Sequence, residues 1–342
     1  MASTAGVRGK AAQVADIIGV GALNLDLIYE VATLDQVRVP GLPLEEGGEL
    51  VGNDTQRKLL KEALGHYGAL RAVSAGGSAS NSCHVLSLMG FATGLVGVLG
   101  EDKEAEQYLA GLGAVDTRGI IRRGRTGCAY IINAEQGDRS IVVFPGSASD
   151  IVPSDLAAGA LAGAAWLHMS SYTSDSGVET QRALKGLLAG RAGLSIDPGE
   201  IYARKGAAAL PLIEGSDVLF ITERELAMLF GSGPDDPADR VLGHAKMVVV
   251  KKGREGATLL APGGSIDVPA EATAFVDTTG AGDVLDGVFI GLCLRGATPE
   301  AALRTAVRAA GRSIGGYGRQ AYPGKRDIEV LYEAVLVHDR KG

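Results

Sequence analysis

The sequence predicts an α/β domain in which a mainly parallel sheet is covered on both faces by helices. Short apolar runs with strand spacing alternate with longer segments of helical spacing from about residue 93 onward, which is the rhythm of βαβ units. Glycine supplies 50 of the 342 residues, about twice its average share of roughly 7%, as suits a fold with many tight turns. Two glycine-rich loops, Gly76–Asn81 and Gly280–Gly282, each run directly into a helical pattern. A helix that opens on glycines offers unbonded N–H groups and a positive dipole end to an anion.

Taken in order, residues 1–14 are small and polar and read as a flexible tail, and 15–340 as the folded domain. Asp16 to Leu27 begins as a buried strand and ends in the polar residues Asn24 and Asp26, at the carboxyl end where α/β sheets meet their ligands. Residues 31–54, rich in Gly, Pro and Glu, read as loop and edge strand outside the main core, and 55–65 as an amphipathic helix. Strands are expected at Thr93–Leu99, Ala129–Asn133, Ser140–Phe144, Ala165–Met169, Leu194–Asp197, Val218–Thr222, Met247–Lys251 and Ala257–Leu260. Helices are expected at Ser82–Leu88, Lys103–Gly111, Ser176–Ala189 and Glu223–Phe230. After Asp283 the pattern is helical only, with Pro299 opening a helix to about Ser313 and Asp327–Val335 forming the last. No internal repeat or linker marks a boundary between independent domains.

Composition removes several function classes. The formal charge of −7 is spread along the chain, and no basic run is longer than the short Arg122-Arg123-Gly124-Arg125 cluster, so a nucleic-acid surface is not expected. No apolar run approaches the ~20 residues of a membrane helix. Cys83, Cys128 and Cys293 lack C-x-x-C spacing and read as reduced thiols of a cytoplasmic protein. His66, His84, His168, His244 and His338 show no metal spacing; His168 stands out because it ends an expected strand. There is no Walker loop and no G-x-G-x-x-G after the first strand.

The chemistry concentrates in Asp277-Thr278-Thr279-Gly280-Ala281-Gly282-Asp283, followed by an apolar helix. The N–H groups of Gly280, Ala281 and Gly282 form an anion cradle, and Asp283 stands beside it in the first turn, where the dipole keeps a carboxylate ionised. Transfer of a phosphoryl group to a hydroxyl needs those two groups together.

This stretch resembles the second signature of the ribokinase-like (PfkB-type) carbohydrate and nucleoside kinases, and Gly76–Asn81 with its helix resembles the first, in the family's order across roughly residues 16–330. The resemblance implies a three-layer α/β/α fold with a small β-sheet lid, formed here by about 31–54 and strands within 128–145, which often pairs subunits into a homodimer. It implies ATP and Mg2+, with Asp283 as general base and Gly280–Gly282 stabilising the transferring phosphoryl group. Asn24, Asp26, Gly76, Gly77 and Asn81 would hold the acceptor's hydroxyls, unless Asp26 is a strand-end cap and Asn81 a plain helix-start residue. Thr222 and Glu225 stand where the family has N-x-x-E, a water-mediated magnesium contact, with threonine replacing the asparagine; the alternative for Glu225 is an exposed first-turn acid. Lys252, Gly253 and Gly256 match the nucleotide loop or are a charged hairpin, and Asp277 and Thr279 resemble a monovalent-cation (K+) site completed by carbonyls near Gly315–Gly318.

The Ser-Ala-Ser of the first loop and the helix at 55–65 look closer to the adenosine-kinase-like branch, which points to a ribonucleoside or sugar acceptor. A sugar acid or sugar phosphate is the rival, the latter requiring Arg122, Arg123 or Arg139 to face the acceptor. A catalytically silent, metabolite-binding relative is the reading from another class.

Overall fold

Along Val218–Ile221 and Val248–Val250 every residue is apolar, and successive side chains of a strand face opposite sides. Leu219 and Val248 pack into one core, Phe220 and Val249 into another. Strands buried on both faces must lie inside a sheet with helices on either side. The computed structural model, which describes residues 16–135, 139–156, 161, 163–231 and 237–339, has that architecture. The 1–14 tail lies outside the described residues.

In chain order the strands are β1 Ile17–Val20, β2 Asn24–Val31, β3 Glu49–Val51, β4 Ala69–Ala75, β5 Thr93–Leu99, β6 Asp116–Arg122, β7 Gly127–Ala134 and β8 Arg139–Phe144. They continue with β9 Trp166–Ser170, β10 Gly193–Asp197, β11 Ser216–Thr222, β12 Ala245–Lys251, β13 Ala257–Ala261 and β14 Gly264–Val268. The main sheet runs β14-β13-β12-β11-β10-β9-β1-β5-β6, parallel from β12 to β6 with an antiparallel β13-β14 edge. A second sheet, β3-β8-β7-β2-β4, packs on a third core containing Leu25, Leu64, Tyr108 and Phe144.

Apart from Asp16–Leu27, every expected strand and helix is present within a few residues of its expected bounds, and Pro299–Ser313 and Glu223–Phe230 match at both ends. The Asp16–Leu27 segment is corrected: it is two strands in two sheets. The chain leaves β1 at Gly21, where a side chain would lie 2.1 Å from Ser170 Oγ, and enters the second sheet at Asn24. Asn24 and Asp26 therefore stand on β2 rather than at the end of the first strand. Residues 31–54 contribute only β3 to the second sheet, which is completed by β2 and β4 in addition to the expected β7 and β8. The unforeseen strands β4, β6 and β14 share a cause: each is an edge strand, carrying polar and small residues instead of a continuous apolar run.

Candidate active site

β10, β11 and β12 are parallel neighbours, so their carboxyl ends bring Asp197, Thr222 and Lys251 to one edge of the sheet. That edge is where open α/β sheets bind ligands. Above it the helix Ala281–Leu294 begins, packed against the helix Ser78–Leu88. Gly287 makes this packing possible: a Cβ there would come 2.8 Å from the Ser82 carbonyl oxygen. The close approach lets Ser82 Oγ donate to the Asp283 carbonyl (3.1 Å) and Asn81 Nδ2 donate to Asp283 Oδ2 (2.7 Å).

Gly280, at φ +76°, caps the Ala281–Leu294 helix in the left-handed region, and a Cβ there would lie 2.0 Å from the Tyr322 hydroxyl. The turn after it presents Ala281 and Gly282 at the helix start, with Asp283 in the first turn and only 8% exposed. Burial, then the charge of Asp197, raises the Asp283 carboxyl above its ordinary range; the Asn81 amide, Lys251 and Ser78 oppose that shift. Asp277, at the other end of the motif, clips the loop shut. Its Oδ1 accepts from Thr279 N (3.0 Å) and Oγ1 (2.7 Å), and its Oδ2 from Gly318 N (2.9 Å).

Asn24 and Asp26 alternate onto one face of β2, beside Gly76 and Gly77 at the end of β4. Gly76 N donates to the Asn24 carbonyl (2.8 Å), and a Cβ on Gly76 would strike the Asp26 carboxylate at 2.0 Å. Gly77, at φ +88°, has no room for a Cβ beside the Ala22 carbonyl. Asn24 Oδ1 is buried with no hydrogen-bond partner among the described residues, the condition of an acceptor that a ligand hydroxyl satisfies. Asp26 is 7% exposed; burial lifts its carboxyl to about 8, against the opposing charge of Arg319.

That shift has a measurable consequence. A carboxyl at 3.8 unfolded and about 8 folded makes the native state hold the extra proton, so its contribution to stability falls as pH rises through that window. Asp26→Asn abolishes the cost. The variant is expected to melt several degrees above the parent at pH 8, equal to it at pH 4, and to bind acceptor more weakly. Thermal melts at the two pH values check it; an equal gain at both refutes the linkage.

Lys251 is the cation beside the aspartates at the sheet edge. Its Nζ bonds Asp197 Oδ2 at 2.7 Å, lies 3.5 Å from Asp286 Oδ2, and would stand 3.3 Å from a Cβ on Gly282. Burial pulls the Lys251 ammonium down, but the Asp197 and Asp286 charges outweigh it and hold it charged. Burial likewise pushes Asp197 up, and the Lys251 charge and hydrogen bond bring it below its ordinary value. Asp286, wholly buried, is pushed well above its ordinary range, chiefly by that burial. Asp197, Asp283 and Asp286 offer oxygens within 4.8 Å of one another, and neither Asp286 oxygen has a hydrogen bond among the described residues. Such an oxygen set suits a hard divalent cation.

The structure brings Asp283, Gly280, Ala281, Gly282, Asn81, Asp26 and Gly76 together, and on the donor side it places the charged hairpin that the sequence also allowed. Lys252 turns to Asp267 on the hairpin (3.2 Å), because strand parity sends neighbouring side chains to opposite faces and Lys251 takes the site. Gly253 and Gly256 serve that hairpin: both have positive φ, and a Cβ on Gly256 would lie 2.0 Å from the Val268 carbonyl oxygen. Thr222 and Glu225 form a capping box, Glu225 N donating to Thr222 Oγ1 (3.2 Å) and Thr222 N to Glu225 Oε2 (2.8 Å). Glu225 still feels Asp197 and Lys251, burial first raising its carboxyl. His168 is a core residue on Ser195 Oγ (2.9 Å), held neutral at about 4 by burial. Arg122 pairs with Glu106 and Arg123 with Asp155, whereas Arg139 crosses from β8 to Thr278 Oγ1 (2.5 Å).

Sequence reasoning missed Lys251, Asp197, Asp286 and Arg319. Asp286 was findable, since it lies one helical turn from Asp283 on the same face. Asp197 obeys the strand-end rule that drew attention to Asp26. Arg319 carries no local signal.

A family model described as pfkB family carbohydrate kinase matches residues 50–324. An uncharacterized sugar kinase of Archaeoglobus fulgidus is 30% identical over 244 residues, covering 70% of this chain and 98% of that one. An ATP-dependent ribose-1-phosphate kinase of Halopiger xanaduensis is 29% identical over 264 residues, 73% of this chain and 83% of that one. The solved structure of an adenosine kinase from Sinorhizobium meliloti superposes with a TM-score of 0.83 at 20% identity, over 94% of this chain and all of that one; the likeness establishes a ribokinase-like fold. With the family model matched over residues 50–324 and a 30% identical relative covering 70% of its length, this chain belongs to the pfkB family of carbohydrate kinases.

Proposed function

We propose that the protein transfers the γ-phosphate of ATP to a hydroxymethyl group of a sugar or ribonucleoside, with Asp283 as general base. The observation that carries this is the buried Asp283 carboxylate in the first turn of its helix, directly after Gly280–Gly282 and bonded to Asn81 at 2.7 Å. The acceptor oxygen loses its proton to Asp283 as it attacks the γ-phosphorus; the new P–O bond forms while the bond to ADP breaks. The Gly280 and Gly282 N–H groups would stabilise the charge that develops on the phosphoryl oxygens, the Ala281 N–H holding the turn through the Thr278 carbonyl (3.3 Å), and Lys251 adds a fixed positive charge close to Gly282. Asn24, Asp26 and Asn81 hold the acceptor's other hydroxyls.

Magnesium bound with ATP supplies neutralisation of the phosphate charge. Asp197 and Asp286 are the residues suited to hold it, with Glu225 acting through water. A potassium ion beside Asp277 and Thr279 would share the Asp277 carboxylate with its N–H and O–H donors. The second sheet acts as the lid that excludes water during transfer. Its exposed edge strand β4, with Leu70 and Val73 on the surface, is the part suited to pair with a second copy of the chain.

A sugar phosphate is the second reading, favoured by Arg139, which reaches from the lid strand to Thr278, and by the ribose-1-phosphate kinase relative. ADP release measured with ribose, ribose 1-phosphate, 2-keto-3-deoxygluconate and adenosine tests both. Turnover on a free sugar or nucleoside supports the first and preference for the phosphate ester the second; no turnover on any hydroxyl acceptor refutes both. Light scattering on the same preparation is expected to give twice the chain mass.

A further inference from the structure

The carboxylates at the two ends of the Asp277–Asp283 motif are joined by a route of hydrogen bonds that passes through the backbone from Gly318 to Arg319 and the Arg319 side chain. Asp277 Oδ2 accepts from Gly318 N at 2.9 Å and so fixes the short Gly318–Ala321 turn, where Gly318 has φ +52°. The next residue, Arg319, sends Nε to Asn81 Oδ1 (2.9 Å) and Nη2 to Ser80 Oγ (2.7 Å), and reaches the Gly111 carbonyl with Nη1 (3.3 Å). Asn81 then sends Nδ2 to Asp283 Oδ2 at 2.7 Å.

The donor and acceptor chemistry leaves no freedom in how this chain reads. A guanidinium only donates and an ionised carboxylate only accepts, so an amide between them must turn its oxygen to the arginine and its nitrogen to the carboxylate. Without Arg319 the amide can flip and set its oxygen against Asp283, replacing an attraction with a repulsion. Arg319 also anchors Ser80, itself held by the Tyr108 hydroxyl at 2.6 Å, so the fork sits on a rigid support.

We propose that Arg319 is a positioning residue for phosphoryl transfer: it locks the Asn81 amide so that its NH2 group aims the Asp283 carboxylate at the acceptor hydroxyl. The proposal rests on the assignment of Asp283 as base. It gives a physical reason for Asp277, whose carboxylate orders the turn that delivers Arg319.

The test is a double-mutant cycle on the wild-type acceptor, with Arg319→Met, Asn81→Ala, the double variant and Arg319→Lys. Arg319→Met is expected to lower kcat about 10- to 100-fold with the KM for ATP within about twofold. The double variant should be no slower than Asn81→Ala, because both changes break one route. Lysine can reach Asn81 but cannot fork to Ser80 as well, so Arg319→Lys should fall between. Independent losses that multiply in the double variant, or an unchanged kcat in Arg319→Met, overturn the proposal. A second readout needs no turnover: hydrogen exchange of the Asn81 side-chain amide by NMR, assigned by its absence in Asn81→Ala. Protection is expected in the wild type, least in Arg319→Met and intermediate in Arg319→Lys. Unchanged protection overturns the proposal even if no acceptor is ever turned over. Loss of protection in an inactive wild type would instead indict the base assignment.

Discussion

Asp283→Asn is expected to lower kcat by about 10²–10⁴-fold, the usual worth of a positioned general base, with little change in ATP binding. The substitution keeps the shape of the side chain and its place beside Asn81, and removes only the capacity to take a proton. Its stability effect should run the other way. The carboxyl is raised by burial, meaning that the fold bears a cost for the charged form at neutral pH, and the amide relieves that cost. The variant should therefore melt at or above the parent temperature while nearly inactive. Steady-state kinetics with a melt on the same sample decide the matter. A kcat within about fivefold of the parent would remove Asp283 from the role of base.

Lys251→Met should carry the largest penalty in stability. The ammonium is the partner of Asp197 at 2.7 Å and faces Asp286 at 3.5 Å, and its side chain is 11% exposed. Stranding one half of a buried ion pair costs about 3–5 kcal/mol, which for a chain of this size is a fall in Tm of roughly 4–7 °C. The sign with pH is diagnostic. In the wild type Asp197 sits below its ordinary value, so its contribution is present above the unfolded carboxylate range and is lost only as acid protonates it. In the variant the unpaired Asp197 joins Asp286, which is already high in the wild type, so lowering the pH from 8 to 5 should restore more stability to the variant than to the parent and narrow the gap between them. Adding Asp197→Asn should recover part of the loss at pH 8. Chemical denaturation of the single and double variants at both pH values checks this, and a Tm within about 2 °C of the parent would show that the pair carries little. Activity should fall as well, since Lys251 is the nearest fixed cation to Gly282.

How much of this was legible in the chain depends on whether a residue's neighbours are local. Asp277–Asp283 could be read because the cradle, the cap and the base are successive residues of one turn, and backbone geometry alone joins them. The alternation of strands and helices was visible for the same reason: each buried strand announces itself by its own apolar run. Edge strands β4, β6 and β14 did not, because a strand exposed along one side needs no such run. Lys251 and Lys252 are indistinguishable as a pair of lysines at a strand end; only the pleat of β12 decides which of them enters the site.

The sequence by itself determined the glycine turn with its first-turn aspartate, the α/β class and the family that the chain belongs to, since each is written in contiguous residues. Tertiary structure decided the rest of the site. Asn81, Asp197, Lys251, Asp283 and Arg319 meet across the carboxyl edge of the main sheet and two helices that Gly287 allows to touch. Their contacts depend on strand order, side-chain parity and helix packing, and none of those is a property of any one stretch of chain.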